Sequence, residues 1–266
     1  NVAVGFESLD ANTDGYDNVA IGKGALGANT TGDAAVAVGR DALASNTTAN
    51  KNIAVGHQAL LYNTTGTANI AIGDGALKAN TTAGSNTAVG TLALLDTTTG
   101  GDNTAIGYAA GNTITTGTNN ACLGNFATTA AADSTNSVTL GNGNVDNLRC
   151  DDTSISTLSD ERDKTNIVDI PLGLDFINDV RPVCFDWDRR NGTKVGKKDF
   201  GFIAQELKVT ADATDYADHM RLVHDENPDL LEADPMKMFP IVIKALQELS
   251  AENEALSARI LTLENA

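Results

Sequence analysis

Hydrophobic and polar positions follow a pattern that repeats every seventeen residues through the first half of the chain. The centre of each repeat is a stretch in which Val or Ile alternates with Ala and which ends at a glycine, as in Asn-Val-Ala-Ile-Gly at residues 18–22. A fixed period of this length is typical of one small structural unit that stacks on copies of itself. The pattern predicts a rod over residues 1–145. The repeating glycines are Gly5, Gly22, Gly39, Gly56, Gly73, Gly90, Gly107, Gly124 and Gly141.

Each repeat continues with a small residue and a leucine, as in Ala25-Leu26, and then with a polar turn such as Asn29-Thr30-Thr31-Gly32. Alternation of Val or Ile with Ala predicts a strand, and Asn and Gly favour turns because they tolerate left-handed backbone conformations. Seventeen residues are too few for two helices and suit two short strands and two turns. We therefore expect a mainly β, parallel β-solenoid or β-roll, about 40 Å long at about 4.8 Å per coil. We expect Val and Ile side chains to pack inward and the Asn-Thr turns to point outward.

The repeats resemble the head repeats of trimeric autotransporter adhesins, on the evidence of the Asn-Val-Ala-Ile-Gly core and the small-residue element after it. The resemblance covers about residues 1–145 and implies a left-handed β-roll that forms a trimer. A seventeen-residue spacing is longer than the usual unit, so the outer turns should protrude further. In the last two repeats Ala110-Gly111 and Ala127-Thr128 replace the Ala-Leu pair, which is typical of the capping end of an array.

A different pattern begins after Gly141. Residues 146–158 are polar and are interpreted as a linker. Residues 172–180 predict a helix, residues 182–187 a strand, residues 188–198 a basic hairpin or loop, and residues 200–207 a strand that runs into the start of a helix. These elements predict a small α+β domain over residues 159–238.

Apolar residues in the tail, residues 239–266, recur in alternating steps of three and four, which predicts a coiled coil. Pro240 falls in the first turn, where proline is tolerated, and Glu248, Glu252 and Glu254 lie off the seam and should be solvated. An alternative is the apolar face of one amphipathic helix on a globular core. After a rod that resembles a trimer, we expect a trimeric coiled coil, in which Asn253 would fix the register. The seam residues are Phe239, Val242, Leu246, Leu249, Asn253, Leu256, Ile260 and Leu263.

The junction at residues 158–167 reads Leu-Ser-Asp-Glu-Arg-Asp-Lys-Thr-Asn-Ile. Taken alone, such a charged run is typical of a solvated surface. It is followed by Pro-Val-Cys-Phe-Asp-Trp at residues 182–187, by Gly-Phe-Ile-Ala-Gln-Glu at residues 201–206 and by the heptad tail. In this order the four elements resemble the intramolecular chaperone domain of phage tailspikes, the endosialidase type, over about residues 159–266.

This second resemblance implies a domain that trimerises the fibre, assists folding of the repeats and then cuts itself off at the Leu158–Ser159 bond. It makes Ser159 the nucleophile and Lys164 the general base. A serine hydroxyl needs a neighbouring base, and a lysine can serve where burial disfavours its charged form. The remaining motif residues, Asp160, Arg162 and Asn166, are expected to orient the loop. A departure from the family pattern is the residue before Lys164, an Asp where the family has an apolar residue, and we expect it to weaken the base.

Composition restricts the partners. The chain has 35 Asp and Glu against 18 Lys and Arg, a formal net charge of −17, which disfavours nucleic acid and anionic membranes as partners. The cysteines Cys122, Cys150 and Cys184 have no metal or redox spacing, and we expect neither a metal nor a cofactor. No apolar stretch is long enough to predict a membrane span. Because the chain opens at Asn1 without Met or a signal peptide, we expect it to be part of a longer protein.

The sequence therefore predicts a structural, homotrimeric segment of a phage tail fibre or spike, extracellular and in the virion. Its only enzymatic activity would be a single-turnover, autoproteolytic Ser-Lys cleavage without external substrates. The alternative is an adhesin or scaffold on the bacterial cell surface, whose repeats bind a host receptor or glycan. A conventional glycan hydrolase would need paired carboxylates, and Asp33, Asp74 and Asp102 show no such arrangement.

Overall fold

The computed structural model describes residues 1–145, 147–149, 159–190, 194–225, 227–229 and 231–265. The chain divides into two compact units, Asn1–Asp146 and Asn147–Ala266. No helix lies within residues 1–145.

The first unit is a parallel β-solenoid, which confirms the fold predicted from the repeat. Each of the nine coils contributes one strand of three residues, and every strand except the last pairs in parallel with the strand seventeen residues later, for example Ala20 with Ala37 and Ala37 with Ala54. The strands are β1 Val2–Val4, β2 Val19–Ile21, β3 Val36–Val38, β4 Ile53–Val55, β5 Ile70–Ile72, β6 Thr87–Val89, β7 Thr104–Ile106, β8 Ala121–Leu123 and β9 Val138–Leu140.

The expectation of two strands per coil is wrong, since the described coils contain one strand each. The rest of each coil is a series of turns. Residues such as Leu26, with φ of 51°, and Leu43, with φ of 52°, take left-handed conformations that interrupt an extended backbone. The repeating glycines have a different role. A Cβ on Gly22 would lie only 2.5 Å from the carbonyl oxygen of Gly39 in the next coil, so close stacking of the coils requires glycine there.

The interior of the solenoid is lined by alanine and leucine, so the prediction that Val and Ile pack inward is wrong. The central alanine of a strand, such as Ala20 or Ala54, has no exposed surface, whereas Ile21, the residue after Ala20, is 39% exposed. Successive side chains of a strand point to opposite faces, and the narrow coil has room inside for the methyl group. The branched residues consequently lie on the outer face. The leucines of the Ala-Leu pairs, Leu26, Leu43, Leu60, Leu77 and Leu94, are fully buried.

The asparagines of the turns also point inward, contrary to the prediction. Asn46 is fully buried, and its Nδ2 donates to Oδ1 of Asn29 in the preceding coil (2.9 Å) and to the carbonyl oxygen of Ala49 (3.0 Å). Because these amides are hydrogen-bonded to one another from coil to coil, they can be buried at little cost. The second threonine of the turn, such as Thr48, is exposed as expected. The turn ladder comprises Asn12, Asn29, Asn46, Asn63 and Asn80.

The second unit is a small α+β region that ends in a long helix, as predicted. Its helices are α1 Leu174–Asp179, α2 Ala204–Asp212, α3 Ala217–Met220 and α4 Phe239–Glu264, with 3₁₀ turns at Glu161–Asp163 and Pro235–Met238. Strands β10 Val183–Asp186 and β11 Lys198–Gly201 form an antiparallel hairpin, and β12 Val223–His224 pairs with β13 Glu232–Ala233. The core of this unit includes Phe176, Leu207, Leu222, Met238 and Ile241.

Candidate functional site

The structure brings Ser159 and Lys164 into direct contact. Lys164 Nζ lies 2.7 Å from Ser159 Oγ and 3.2 Å from the carbonyl oxygen of Ser159, and both side chains are exposed in the single chain. Contact at this distance is what a serine nucleophile and its base require. Leu158, the other residue of the expected scissile bond, lies outside the described residues.

A one-turn 3₁₀ helix, Glu161–Asp163, holds the two residues together. The backbone N–H of Arg162 donates to Asp160 Oδ1 (2.9 Å), so Asp160 caps the start of the turn. The guanidinium of Arg162 donates to the same carboxylate through Nε (3.0 Å) and Nη2 (2.6 Å). At the other end, the backbone N–H of Lys164 donates to the carbonyl oxygen of Glu161 (3.0 Å). The closed turn thereby places a lysine beside the serine five residues earlier.

The hydrogen bonds from Arg162 stabilise the carboxylate of Asp160. The arginine side chain lowers the pKa of Asp160, and its backbone N–H adds to this effect. The carboxylate in turn raises the pKa of Arg162. Asp160 is therefore ionised at physiological pH and can accept these hydrogen bonds.

Two further residues of the motif are placed beside the pair rather than in it. Asn166 has a φ of 54°, in the left-handed region that asparagine tolerates better than most residues. Its position points to a role in the backbone path after the lysine. The side chain of Asp163 makes no ion pair with Lys164 within the described part of the chain. If Asp163 weakens Lys164 as a base, as the sequence predicts, it must do so without direct contact.

The apolar seam of α4 is left exposed in the single chain. The helix packs on α1 and the adjacent core through Ile241 and Ala245, which are buried and belong to a different face. The alternative interpretation, in which the seam is the core-facing side of one amphipathic helix, therefore does not account for the seam. Its apolar members range from 36% to 69% exposed: Phe239, Val242, Leu246, Leu249, Leu256, Ile260 and Leu263.

Glu248 on α4 makes a contact that the sequence analysis missed, since this residue was expected to be solvated. Its Oε2 accepts a hydrogen bond from the backbone N–H of Leu174 (2.7 Å), at the start of α1. Gly173 allows this approach, because a Cβ there would collide with the Glu248 carboxylate. The bond from Leu174, with a smaller contribution from Lys244, lowers the pKa of Glu248. The one sign of this contact in the sequence is Gly173 at the start of α1, since glycine has no side chain that could cap the helix itself.

The remaining chemistry-bearing residues form no second site. Cys122 is buried in the solenoid, where burial raises the pKa of its thiol, Cys184 is exposed, and Cys150 lies outside the described residues. Among the described residues, no group of three His, Cys, Asp or Glu side chains is placed to hold a metal ion. None of the described helices is both long and apolar enough to span a membrane.

Residues 159–215 match the model of a peptidase family that is described as the chaperone of endosialidase. The match begins at Ser159 and includes the 3₁₀ turn, the β10–β11 hairpin and α2. No curated protein and no solved structure matches the chain significantly. The family match, together with the parallel β-solenoid before it, agrees with a phage fibre that carries a C-terminal chaperone.

Proposed function

We propose that the chain is a segment of a homotrimeric phage tail fibre or spike, part of the virion, and that residues 159–266 are its self-cleaving intramolecular chaperone. Residues 1–145 are the rod, residues 146–158 the linker, residues 159–238 the α+β part of the chaperone and residues 239–266 its coiled coil. The observation that supports this most strongly is the hydrogen bond between Lys164 Nζ and Ser159 Oγ at the first residue of the family match.

The proposed reaction begins with attack of Ser159 Oγ on the carbonyl carbon of Leu158. Lys164, acting in its neutral form, accepts the hydroxyl proton and passes it to the departing amide nitrogen of Ser159. The C–N bond breaks as the new C–O bond forms, which leaves an ester between Leu158 and the serine side chain. Water then hydrolyses this ester, so that the products are a Leu158 carboxylate and a chain that begins at Ser159.

The exposure of the pair in the single chain bears on when cleavage takes place. A lysine becomes an effective base when its charged form loses solvation, and both side chains of the pair are exposed here. We propose that assembly of three chains covers the pair and thereby starts cleavage. The rod would then be cut only after it has assembled.

Trimerisation by a C-terminal domain would speed a slow step in the folding of the rod. Every coil must close by pairing with its neighbour, and in a trimer it must also be in register with two other chains. Such folding is slow, because the entropy cost of loop closure precedes the stabilising contacts. Linking the chains at one end raises their effective concentration and sets the register. Removal of the chaperone afterwards leaves a rod that is kinetically trapped in its assembled form.

Denaturing mass spectrometry of purified variants tests the assignment. Wild-type protein is expected to yield fragments of residues 1–158 and 159–266, and Ser159→Ala and Lys164→Ala to stay at full length because each lacks one half of the pair. Thr165→Ala, a change at an exposed neighbour with no part in the pair, is the matched control and should be cut like wild type. Hydroxylamine, which cleaves esters, should give wild-type protein a Leu158 hydroxamate.

Cleavage of Ser159→Ala at the wild-type rate would show that this serine is not the nucleophile. If neither wild type nor any variant is cut after prolonged incubation, the chain retains the motif without the activity.

A further inference from the structure

We infer that one stripe of side chains on the outer face of the solenoid is the surface along which the rods of three chains contact each other. This outer strand stripe is the third residue of every strand, on the side opposite the buried core. Its members are Val4, Ile21, Val38, Val55, Ile72, Val89, Ile106, Leu123 and Leu140. The inference rests on the proposed homotrimer and assigns its contact face along the rod.

Exposure and composition single out this stripe. Ile72 is 40% and Ile106 46% exposed in the single chain, and Val55 is partly exposed. All nine positions are Val, Ile or Leu, in a chain with 53 charged Asp, Glu, Lys and Arg residues (35 and 18). An uninterrupted apolar stripe about 38 Å long, at about 4.8 Å per coil, differs from the singly scattered apolar residues of an ordinary surface and is typical of a protein–protein contact.

The neighbouring columns of the solenoid lack this character. The first strand residue changes from Val or Ile to Thr87, Thr104 and Ala121 in later coils, and the column after the glycine includes charged residues such as Lys23 and Asp74. The turns present an exposed column of threonines, including Thr65. Among these outward columns, the outer strand stripe is the one that stays apolar and large from β1 to β9.

A second copy of this chain is the occupant that fits the stripe. A partner must offer apolar side chains at the rise of one coil over nine successive levels. An irregular globular surface does not have this period, and the hydroxyl groups of a glycan would find no hydrogen-bond partners on Val, Ile and Leu side chains. A parallel copy in register offers this spacing at every level. The exposed seam of α4 independently predicts parallel association of the same chains. With three-fold symmetry, identical residues of the stripe would meet near the common axis.

Cysteine cross-linking tests the contact face. Val55→Cys and, as matched control, Thr65→Cys are placed in a full-length Ser159→Ala background in which Cys150 and Cys184 are changed to serine. A short bis-maleimide reagent should join Val55→Cys chains into covalent dimers, up to about two thirds of the chains, since three cysteines around one axis can form one pair. The Thr65→Cys chains should stay unlinked and should react rapidly with a monofunctional maleimide. Val38→Cys repeats the test at another level of the rod.

Sedimentation equilibrium on the same samples separates the possible failures. A trimer in which Val55→Cys and Val38→Cys stay unlinked and react as freely as Thr65→Cys would overturn the inference and leave the proposed homotrimer standing. A single chain in sedimentation would instead contradict the proposed function itself. Cross-linking of the stripe cysteines within trimers, without cross-linking of Thr65→Cys, is the expected result.

Discussion

At the scale of single residues, the proposed chemistry depends on a short turn rather than on a preformed pocket. Ser159 and Lys164 are five positions apart, and they meet because Asp160 caps the 3₁₀ turn between them. The guanidinium of Arg162 donates one hydrogen bond to each oxygen of the capping carboxylate. The residues that surround the pair thus act on its geometry, and their effects should be measurable separately from those of the pair itself.

Asp160 provides the first test of this geometry. Asp160→Ala removes the cap on the Arg162 N–H and should slow cleavage about tenfold or more, since misplacement of a reacting group by an ångström is costly. Asp160→Asn keeps an oxygen for the same N–H and should retain much of the rate. Cleavage rates from gel densitometry decide this, with the exposed Glu161→Ala as control. An unchanged rate in Asp160→Ala would show that the turn does not depend on this cap.

Glu248 predicts a dependence of stability on pH. Its pKa is lowered in the folded chain, chiefly by the N–H of Leu174. A carboxylate with a lowered pKa stabilises the fold above its unfolded pKa, and this contribution is lost as the pH falls through the folded value. Wild type should therefore melt at a higher temperature than Glu248→Gln near pH 7, and the difference should shrink below about pH 4. Glu252→Gln, at an exposed position on the same helix, should show no such difference. Thermal melts over a pH series measure it.

At the scale of the elements, the repeat sequence predicts the coil and the strand but not which side of the strand faces inward. In a Val-Ala-Ile strand the alanine lies on one face and the two branched residues lie on the other. Which of the two faces points into the solenoid depends on the diameter of the closed coil. Because the coil is narrow, Ala37 occupies the interior and Val38 the outer face. The central position is Ala in β1 to β7, and the small side chain of Cys122 takes it, fully buried, in β8.

The inward orientation of the turn asparagines cannot be predicted from the local sequence, for a related reason. An isolated Asn-Thr-Thr-Gly segment is typical of an exposed turn, whereas stacking gives each amide a partner seventeen residues away that no local pattern reveals. The ladder ends at Asn80, whose Oδ1 is buried without a hydrogen-bond partner among the described residues, and the next coil has Thr97 at the same position. The contact of Glu248 with Leu174, 74 residues apart, was unpredictable on the same grounds.

The ladder can be tested by removing one amide from its middle. Asn46→Ala deprives Asn29 Oδ1 of its donor and Asn63 Nδ2 of one acceptor. A buried polar group left unpaired costs about 1–3 kcal/mol, so the thermal midpoint of the rod should fall. Asn125→Ala, whose side chain is exposed on the same solenoid, should leave it nearly unchanged. Equal midpoints for the two variants, measured by circular dichroism, would contradict a stabilising role for the ladder.

At the scale of the whole molecule, both units present long apolar surfaces that the single chain does not cover. In the solenoid it is the outer strand stripe, and in the second unit it is the seam of α4, of which Leu246 is 57% and Ile260 54% exposed. A net charge of −17 keeps such chains apart until specific contacts form. The proposed assembly of parallel chains, joined first through the coiled coil and then along the rod, would cover both surfaces.

Native mass spectrometry of the wild-type protein, sampled over time after purification, measures assembly and cleavage together. We expect an initial species with three times the 27.5 kDa mass of the chain, which then converts into trimers of residues 1–158 and released fragments of residues 159–266. The seam variant Leu249→Asp should give neither trimer nor cleavage, because cleavage follows assembly. A wild-type protein that stays a single, intact chain of 27.5 kDa throughout would contradict both the assembly and the self-cleavage.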